Sequence, residues 1–368
     1  MGCSYCYYLF DSCANEERLY FVLLDITLSM SSVHSQNLVD MSSLLYRVNN
    51  AHKIIRDTLI SQKWIGYDPF DGLNCLAGTL TPEGRFKLLK ISLLQFHKRF
   101  GFNTRPLFRI KKTCNPKTLA LSLLGEISLI DHGLSSDVSE ILINRILKLK
   151  NNYLDSGGWG YPFPWQARAF YSPAHQPNVI ATSYCILALD KAESKLNTVR
   201  QLEQVYQDAG RFIDRFLFSK TCDGKPYFRY VPNSDAHIHN ASLWGATTLL
   251  TIGNKLGNKN YCQKAIDAIH TSIDYQQDDG SWIYGLLDHH RFIDSFHSGY
   301  ILEALHIAMS LHPSDEILTS FQKGFEYFKN FINDSGEVSY YANSKWPLDS
   351  HCYAQAIITL GLSNKTDV

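Results

Sequence analysis

No apolar run in this chain approaches the ~20 residues that a bilayer-spanning helix needs. The longest one near the N-terminus, Leu19 to Leu24, falls far short. Nor does a basic region precede that stretch, where Glu16 and Glu17 stand instead, so no secretory signal is expected and a cytoplasmic location is. Neither sign of charge is in excess: 35 Lys and Arg balance 35 Asp and Glu. That balance removes the electrostatic case for a nucleic-acid binder, which needs a basic surplus or a basic stripe. Gly-rich phosphate loops of the GxGxxG and GxxxxGKS/T kinds are missing as well, and no cofactor is expected.

Paired cysteine motifs are equally scarce. The nine cysteines are an odd number, and three of them (Cys3, Cys6 and Cys13) crowd the start. Cys3-Ser-Tyr-Cys6 is half of a zinc motif whose second half does not follow. The other six sit singly inside apolar runs, where a free Cys behaves as a small hydrophobe, and they read as thiols of a reducing compartment. Met1-Gly2-Cys3 begins like a myristoylation signal, but Cys6 occupies the place of the required Ser or Thr. Met30 and Met41 are alternative initiators. Residues 1–41 are therefore set apart as an N-terminal extension, and 42–368 as the domain.

What the chain does have is aromatic residues, 13% in all with 21 Tyr, and a recurring helical pattern. Tyr joins an apolar body to a hydrogen-bonding tip and suits either a polar-ligand wall or an amphipathic core edge. Apolar spacing predicts helices over 42–62, 86–100, 117–130, 135–149, 178–191, 199–218, 239–250, 259–275, 299–311, 314–332 and 352–362. Cys75 to Thr79 is too short to assign. Striped, half-charged helices such as 135–149 alternate with nearly all-apolar ones such as 117–130, the signature of an outer and an inner layer.

Each unit repeats an outer helix, an acidic–Gly turn, an aromatic segment, a loop and an inner helix. In Gln277-Asp-Asp-Gly-Ser-Trp-Ile-Tyr284 the turn is expected to lead into a short aromatic strand. Asn74, Asn115, Asn178, His239, His297 and His351 head the inner helices, at separations of 41, 63, 61, 58 and 54 residues. Six such hairpins predict an all-α (α/α)6 toroid with short aromatic β-hairpin loops on one face.

In a ring of that kind every inner helix starts on the same face, so the preceding loops surround one funnel. Helix N-termini there favour anions. Polar residues at those starts are the candidate catalytic groups: Asp68, Asp71, His239, Asp294, His297, Asp349 and His351. Asp294 and His297, three apart, can form an acid/base pair in which the carboxylate holds the imidazole tautomer. Asp68 and Asp71 are paired carboxylates of the kind used in glycosidic chemistry. Asn115 and Asn178 read as ordinary N-caps, with Asn178 and Asn240 kept as ligand contacts. Trp159, Tyr161, Trp165, Tyr171, Trp282, Tyr284 and Trp346 can stack on sugar rings or serve as packing between repeats. Arg168 and Arg291 can bind carboxylates or phosphates in a bidentate way. His239, His297 and His351 are zinc-ligand types, but they sit on different repeats of a wide ring, and no metal is expected.

The motifs Gly66-Tyr-Asp-Pro-Phe-Asp-Gly-Leu-Asn74, Gly158-Trp-Gly-Tyr-Pro-Phe-Pro-Trp-Gln166, Ile238-His-Asn240, Asp279-Gly-Ser-Trp282, Phe292-Ile-Asp-Ser-Phe-His297 and Asp349-Ser-His351 resemble, in that order, the bacterial VpsJ-like polysaccharide-biosynthesis family. The resemblance covers roughly residues 42 to 362. It implies a toroid of the terpenoid-cyclase and protein-prenyltransferase type, and a part in capsule, exopolysaccharide or lipopolysaccharide production. It does not fix a reaction. Of the DxDD acid motif of terpene cyclases, Asp68-Pro-Phe-Asp71 keeps only the outer pair. The zinc sets of prenyltransferases and lanthionine cyclases have no counterpart beyond His351-Cys352.

The expectation is a carbohydrate-active protein that acts on or binds an acidic glycan or its activated-sugar or lipid-linked precursor, as a lyase, epimerase or hydrolase. Other polysaccharide-biosynthesis proteins are its expected partners. The alternatives are a non-catalytic glycan-binding or scaffold component, and an isoprenoid-acting enzyme. His, Asn and Asp at the inner-helix starts favour a polar ligand over an isoprenoid.

Overall fold

The computed structural model of the chain describes residues 38–75, 86–100, 102–131, 138–196 and 202–363. Eleven α-helices are found among the described residues. The outer ones are α1 (Leu38–Ser61), α2 (Lys87–Arg99), α4 (Ser139–Lys148), α6 (Glu203–Phe212), α8 (Lys259–Asp274) and α10 (Asp315–Lys329). The inner ones are α3 (Pro116–Asp131), α5 (Val179–Lys195), α7 (His239–Leu256), α9 (Ser295–Leu311) and α11 (Ser350–Ser363). Successive inner helices pack on one another, and α4, α8 and α10 pack outside α3, α7 and α9. Every residue of α7 from His239 to Gly253 is buried, as befits a helix covered on all sides. The inner helix expected after Asn74 falls on residues outside the described set; the described segment before them closes with a 3-10 turn, Asp71–Asn74, and the buried Cys75.

Two expectations about local structure change. The helix predicted over 199–218 stops at Phe212, winds through one π turn (Ile213–Leu217) and enters a strand. Phe218 there pairs with Phe228, so its backbone is extended rather than helical. The hairpins are β1 (Asn151–Tyr153) with β2 (Ser156–Gly158), β3 (Trp165–Gln166) with β4 (Tyr171–Ser172), and β5 (Phe218–Lys220) with β6 (Pro226–Phe228). The segment after Gly280 forms no strand of its own; Tyr284 donates its backbone N–H to Phe292 O at 2.8 Å and is held by loops on both sides.

The repeat is built on three recurring bonds. Gly224, Gly280 and Gly336 all have positive φ (86°, 90° and 80°). Each donates its N–H to the carbonyl three residues back, on Thr221, Gln277 and Asn333, at 2.9 Å. A second recurring bond uses the indoles that come after such turns: Trp159 Nε1 donates to Ile146 O of α4 at 2.7 Å, and Trp282 Nε1 to Ser272 O of α8 at 2.9 Å. Both rings are at most 3% exposed, so these tryptophans lock the turn to the end of an outer helix.

The third bond links repeats. The first N–H of α5, α7 and α9, on Val179, His239 and Ser295, donates to the carbonyl of Tyr230, Tyr284 and Tyr340 in the following repeat, at 3.0, 3.1 and 2.9 Å. These donors are left free by the helix itself, and the next repeat supplies the acceptor. α3 begins with Pro116, which has no N–H to give.

Candidate active site

The inter-repeat bonds place three tyrosines in equivalent positions, and a fourth, Tyr161, shares their spacing in sequence. Tyr161, Tyr230, Tyr284 and Tyr340 each stand two residues after the buried residue that closes the turn (Trp159, Phe228, Trp282 and Val338). Tyr161 and Tyr230 share a hydrogen bond between hydroxyls at 3.0 Å. Burial pushes all four phenols above the ordinary tyrosine range, and for Tyr340 the nearby Asp294 and Asp349 carboxylates add to it. The spacing is aromatic-x-Tyr in three units and Val-x-Tyr in the last, and it is readable in the sequence.

Asp294 is the N-cap of α9. Its Oδ1 accepts the backbone N–H of His297 at 2.8 Å, and its Oδ2 lies 2.6 Å from His297 Nδ1. The carboxylate is buried, with 1% of its side chain exposed, whereas His297 keeps 21%. His297 therefore keeps part of its ring accessible, beside Tyr284 at 4.4 Å and Phe296 at 3.9 Å between centroids. Phe296 leads to a second, looser pair: its ring is 6.0 Å from that of His351, whose Nδ1 lies 3.5 Å from Asp349 Oδ1. An imidazole held at Nδ1 by a carboxylate is arranged to take or give a proton at Nε2.

Tyr284 joins this pair to a cavity of about 310 Å³. Trp165, Phe170, Phe292 and Tyr341 wall it together with Tyr284, and its charged or titratable lining is Arg168, His289 and His290. No carboxylate lines it among the described residues. Burial, with His289, His297 and Arg168 nearby, pushes His290 down to about 4.

The remaining sequence candidates separate from this group. His239 does not face the funnel. His237, Ile238 and His239 run extended into α7, so their side chains alternate. Ile238 lines the cavity, while both histidines lie against Tyr275 on the outer side, at 5.4 and 5.2 Å. His239, His297 and His351 are the first, third and second residues of their helices, so equal roles in a repeat do not give equal directions. They do not converge on one point.

Asp68 and Asp71 belong to a separate network, and Asp68 with Asn115 lines a second, smaller cavity. Arg105, which motif reading passed over, donates Nε to Asp71 Oδ1 at 2.7 Å and an Nη to Asp68 O at 2.7 Å. Asn115 Nδ2 reaches Asp68 Oδ2 at 3.3 Å. Asp71 is 1% exposed, and burial outweighs Arg105 enough to push its carboxyl up to about 6. It ties the loop together rather than facing a ligand.

Trp159 and Trp282 are locked into the repeat, as described above. Asn178 is the N-cap of α5, accepting from Ala181 N at 2.9 Å, and Asn240 is 3% exposed. Tyr171 lies under the Lys90 ammonium at 4.3 Å. Arg291 is exposed beside Asp288, and Trp346 is 55% exposed, away from the cavity lining.

No family model matches this sequence, and a search of curated proteins finds no match either. Solved structures do match along nearly the whole chain. A glycoside hydrolase family 76 α-mannanase of Bacteroides thetaiotaomicron superposes with a TM-score of 0.55 at 12% identity, covering 96% of this chain and 86% of that one. A sugar epimerase from a ruminal bacterium gives 0.54 at 11% identity, covering 97% and 88%. The cellobiose 2-epimerase of Bacillus thermoamylovorans gives 0.52 at 10%, covering 95% and 88%. The fold is an α/α toroid. Identities this low carry the toroid and nothing finer, so the chemistry rests on the residues of its own funnel.

Proposed function

We propose that the toroid is a carbohydrate-active protein of polysaccharide biosynthesis that acts on an acidic glycan or its precursor, with Asp294 and His297 as its acid/base pair. One observation carries this reading. The ring of Tyr284 both packs on His297 and walls a cavity whose sides are aromatic and whose charged lining is basic. Flat aromatic walls suit sugar rings, and an Arg with two histidines and no carboxylate suits an anionic sugar. His297 at the edge of such a cavity takes a proton from a C–H or hydroxyl of the bound sugar at Nε2. Asp294 holds the Nδ1–H and stabilises the imidazolium that forms. The resemblance of the motifs, in their order, to the VpsJ-like family supports a place in capsule, exopolysaccharide or lipopolysaccharide production, and the scattered free thiols support a reducing, cytoplasmic setting.

Proton NMR of the protein with uronate-containing oligosaccharides in D2O tests the reading. New reducing ends report hydrolysis, olefinic signals report elimination, and deuterium at an inverted carbon reports epimerisation. One of these is expected with the wild type and is lost in His297→Ala. Binding without any chemical change would replace the enzyme with a glycan-binding component.

A further inference from the structure

α2 turns polar residues inward and apolar ones outward. Lys90, Leu94 and His97 share its buried side. Lys90 Nζ stands 4.3 Å over the Tyr171 ring, and His97 Nδ1 lies 2.7 Å from Thr104 Oγ1. Leu88, Leu89 and Phe96 are exposed instead, Leu88 by 81%. An ordinary surface helix is arranged the other way. The apolar surface continues past the end of the helix. Phe96 lies 4.7 Å from Phe100, and Phe100 4.8 Å from Phe102, between ring centroids. Phe96 also meets Phe108 at 5.7 Å, next to Leu107 in the chain. Phe102 and Leu107 are 62% and 76% exposed.

The charge of this stretch is as uneven as its apolarity. Between Glu83 and Glu126 the sequence has ten Lys and Arg and no Asp or Glu, in a chain whose total is balanced. Lys87, Arg109, Lys111 and Lys112 are exposed, Lys87 directly before Leu88 and Arg109 two residues after Leu107. Aromatic and leucine side chains standing out among cations match the surface of an anionic bilayer. Its acyl boundary takes the apolar groups and its headgroups take the charges. A second copy of this chain, by contrast, would bring the same cations against one another.

We propose that α2 and residues 102–112 are a membrane-docking surface that seats the toroid on anionic lipid headgroups, with Leu88, Phe102 and Leu107 entering the acyl boundary. At 13 residues α2 is too short to cross a bilayer and lies in its surface. The docking face adjoins the funnel. α2 packs on the Asp71–Asn74 turn and on β3, whose Trp165 walls the Arg168 cavity. Docking here holds that cavity beside the headgroups, where a lipid-linked sugar presents its polar end. Exposure and charge carry this assignment independently of the role given to His297.

Co-sedimentation of the full chain with phosphatidylcholine vesicles, with and without about 30% phosphatidylglycerol, tests it. Wild type is expected to bind the anionic vesicles and not the neutral ones, and to come off as salt approaches about 0.5 M. Leu88→Ser with Leu107→Ser changes no charge and is expected to weaken binding about tenfold or more. Lys87→Gln with Lys111→Gln is expected to weaken it about as much, and carries the test if the serine pair unfolds the protein. Wild type that ignores anionic vesicles overturns the docking surface, as does binding that either pair leaves unchanged. A dimer in sedimentation velocity that the serine pair splits, without vesicle binding, assigns the face to a second copy instead.

Discussion

One Asp294 carboxylate performs two tasks: Oδ1 caps α9 through the His297 N–H at 2.8 Å, and Oδ2 holds the His297 ring at 2.6 Å. The two tasks separate by substitution. Asp294→Asn keeps an oxygen for the cap and removes the charge that would stabilise an imidazolium. Its stability is expected to fall by less than about 1 kcal/mol, while turnover falls by roughly two orders of magnitude or more. Asp294→Ala loses both tasks, with a stability cost of about 1–2 kcal/mol. Urea unfolding and turnover on the same preparations check this. Equal stability loss in Asn and Ala, with activity intact in both, would leave Asp294 as a cap alone.

The three turn glycines share a backbone conformation but not a neighbourhood. A Cβ built at Gly280 would stand 2.3 Å from Lys323 O, whereas nothing lies within 4 Å of one at Gly224 or Gly336. Gly224→Ala and Gly336→Ala are expected to cost about 1 kcal/mol each, the usual strain of a side chain at positive φ. Gly280→Ala must also displace backbone of α10, and its cost is expected to exceed about 3 kcal/mol. Thermal unfolding of the three variants ranks them. A Gly280→Ala protein as stable as the other two would show that the turn shifts freely against α10.

Arg105 is the sole cation bonded to the buried Asp71 carboxylate among the described residues. Burial raises the folded carboxyl to about 6, above its ordinary value, so Asp71 binds its proton more readily in the folded state. Its favourable contribution is therefore complete below about pH 4 and is lost as pH rises to about 6. Arg105→Ala removes the group that offsets burial. The loss is expected to reach about 3 kcal/mol at about pH 7.5 and to shrink at about pH 5, where Asp71 takes up a proton. Chemical unfolding at the two pH values measures it, and Asp71→Asn in the Arg105→Ala background should recover most of the loss. A pH-independent cost would assign Arg105 a packing role instead.

The layers of this fold were legible because burial writes itself into composition. Inner helices such as Val179–Lys195 are apolar on most sides, and outer ones such as Ser139–Lys148 carry a stripe. Helix starts were legible to within a few residues from Asn178 and Asp294, whose side chains cap in the ordinary way. What the pattern could not supply was rotation. Aligning His239, His297 and His351 as equivalents ignored that one residue along a helix turns a side chain by about 100°, and the extended entry to α7 turns His239 outward altogether. Counting from the caps instead places Tyr184, Trp244, Tyr300 and Gln355 in one layer. Likewise, the distance from Asp71 to Arg105 in sequence hid a 2.7 Å bond. Lys117, bonded to Tyr300, and Glu303, bonded to Tyr184, also join inner helices far apart in sequence.

The outward pair itself makes the last prediction. His237 and His239 lie 4.8 Å apart between ring centroids and are at most 4% exposed. None of their four ring nitrogens has a hydrogen-bond partner among the described residues. Burial pushes His237 down to about 4, and burial with His237 alongside pushes His239 well below its ordinary value. Both are neutral when folded, and the unfolded chain binds their protons first. Stability that is complete above about pH 6.5 is therefore lost as pH falls toward about 4, by roughly 3 kcal/mol for His237. Asp71 acts in the opposite sense over part of that window, so the informative measurement is a difference between proteins. His237→Phe keeps the ring stacked on Tyr227, whose centroid is 4.6 Å away, and removes one titrating group. Its unfolding free energy should match wild type at about pH 7.5 and exceed it at about pH 5. If the two proteins lose stability in parallel across that range, His237 is already protonated, or hydrated, within the fold.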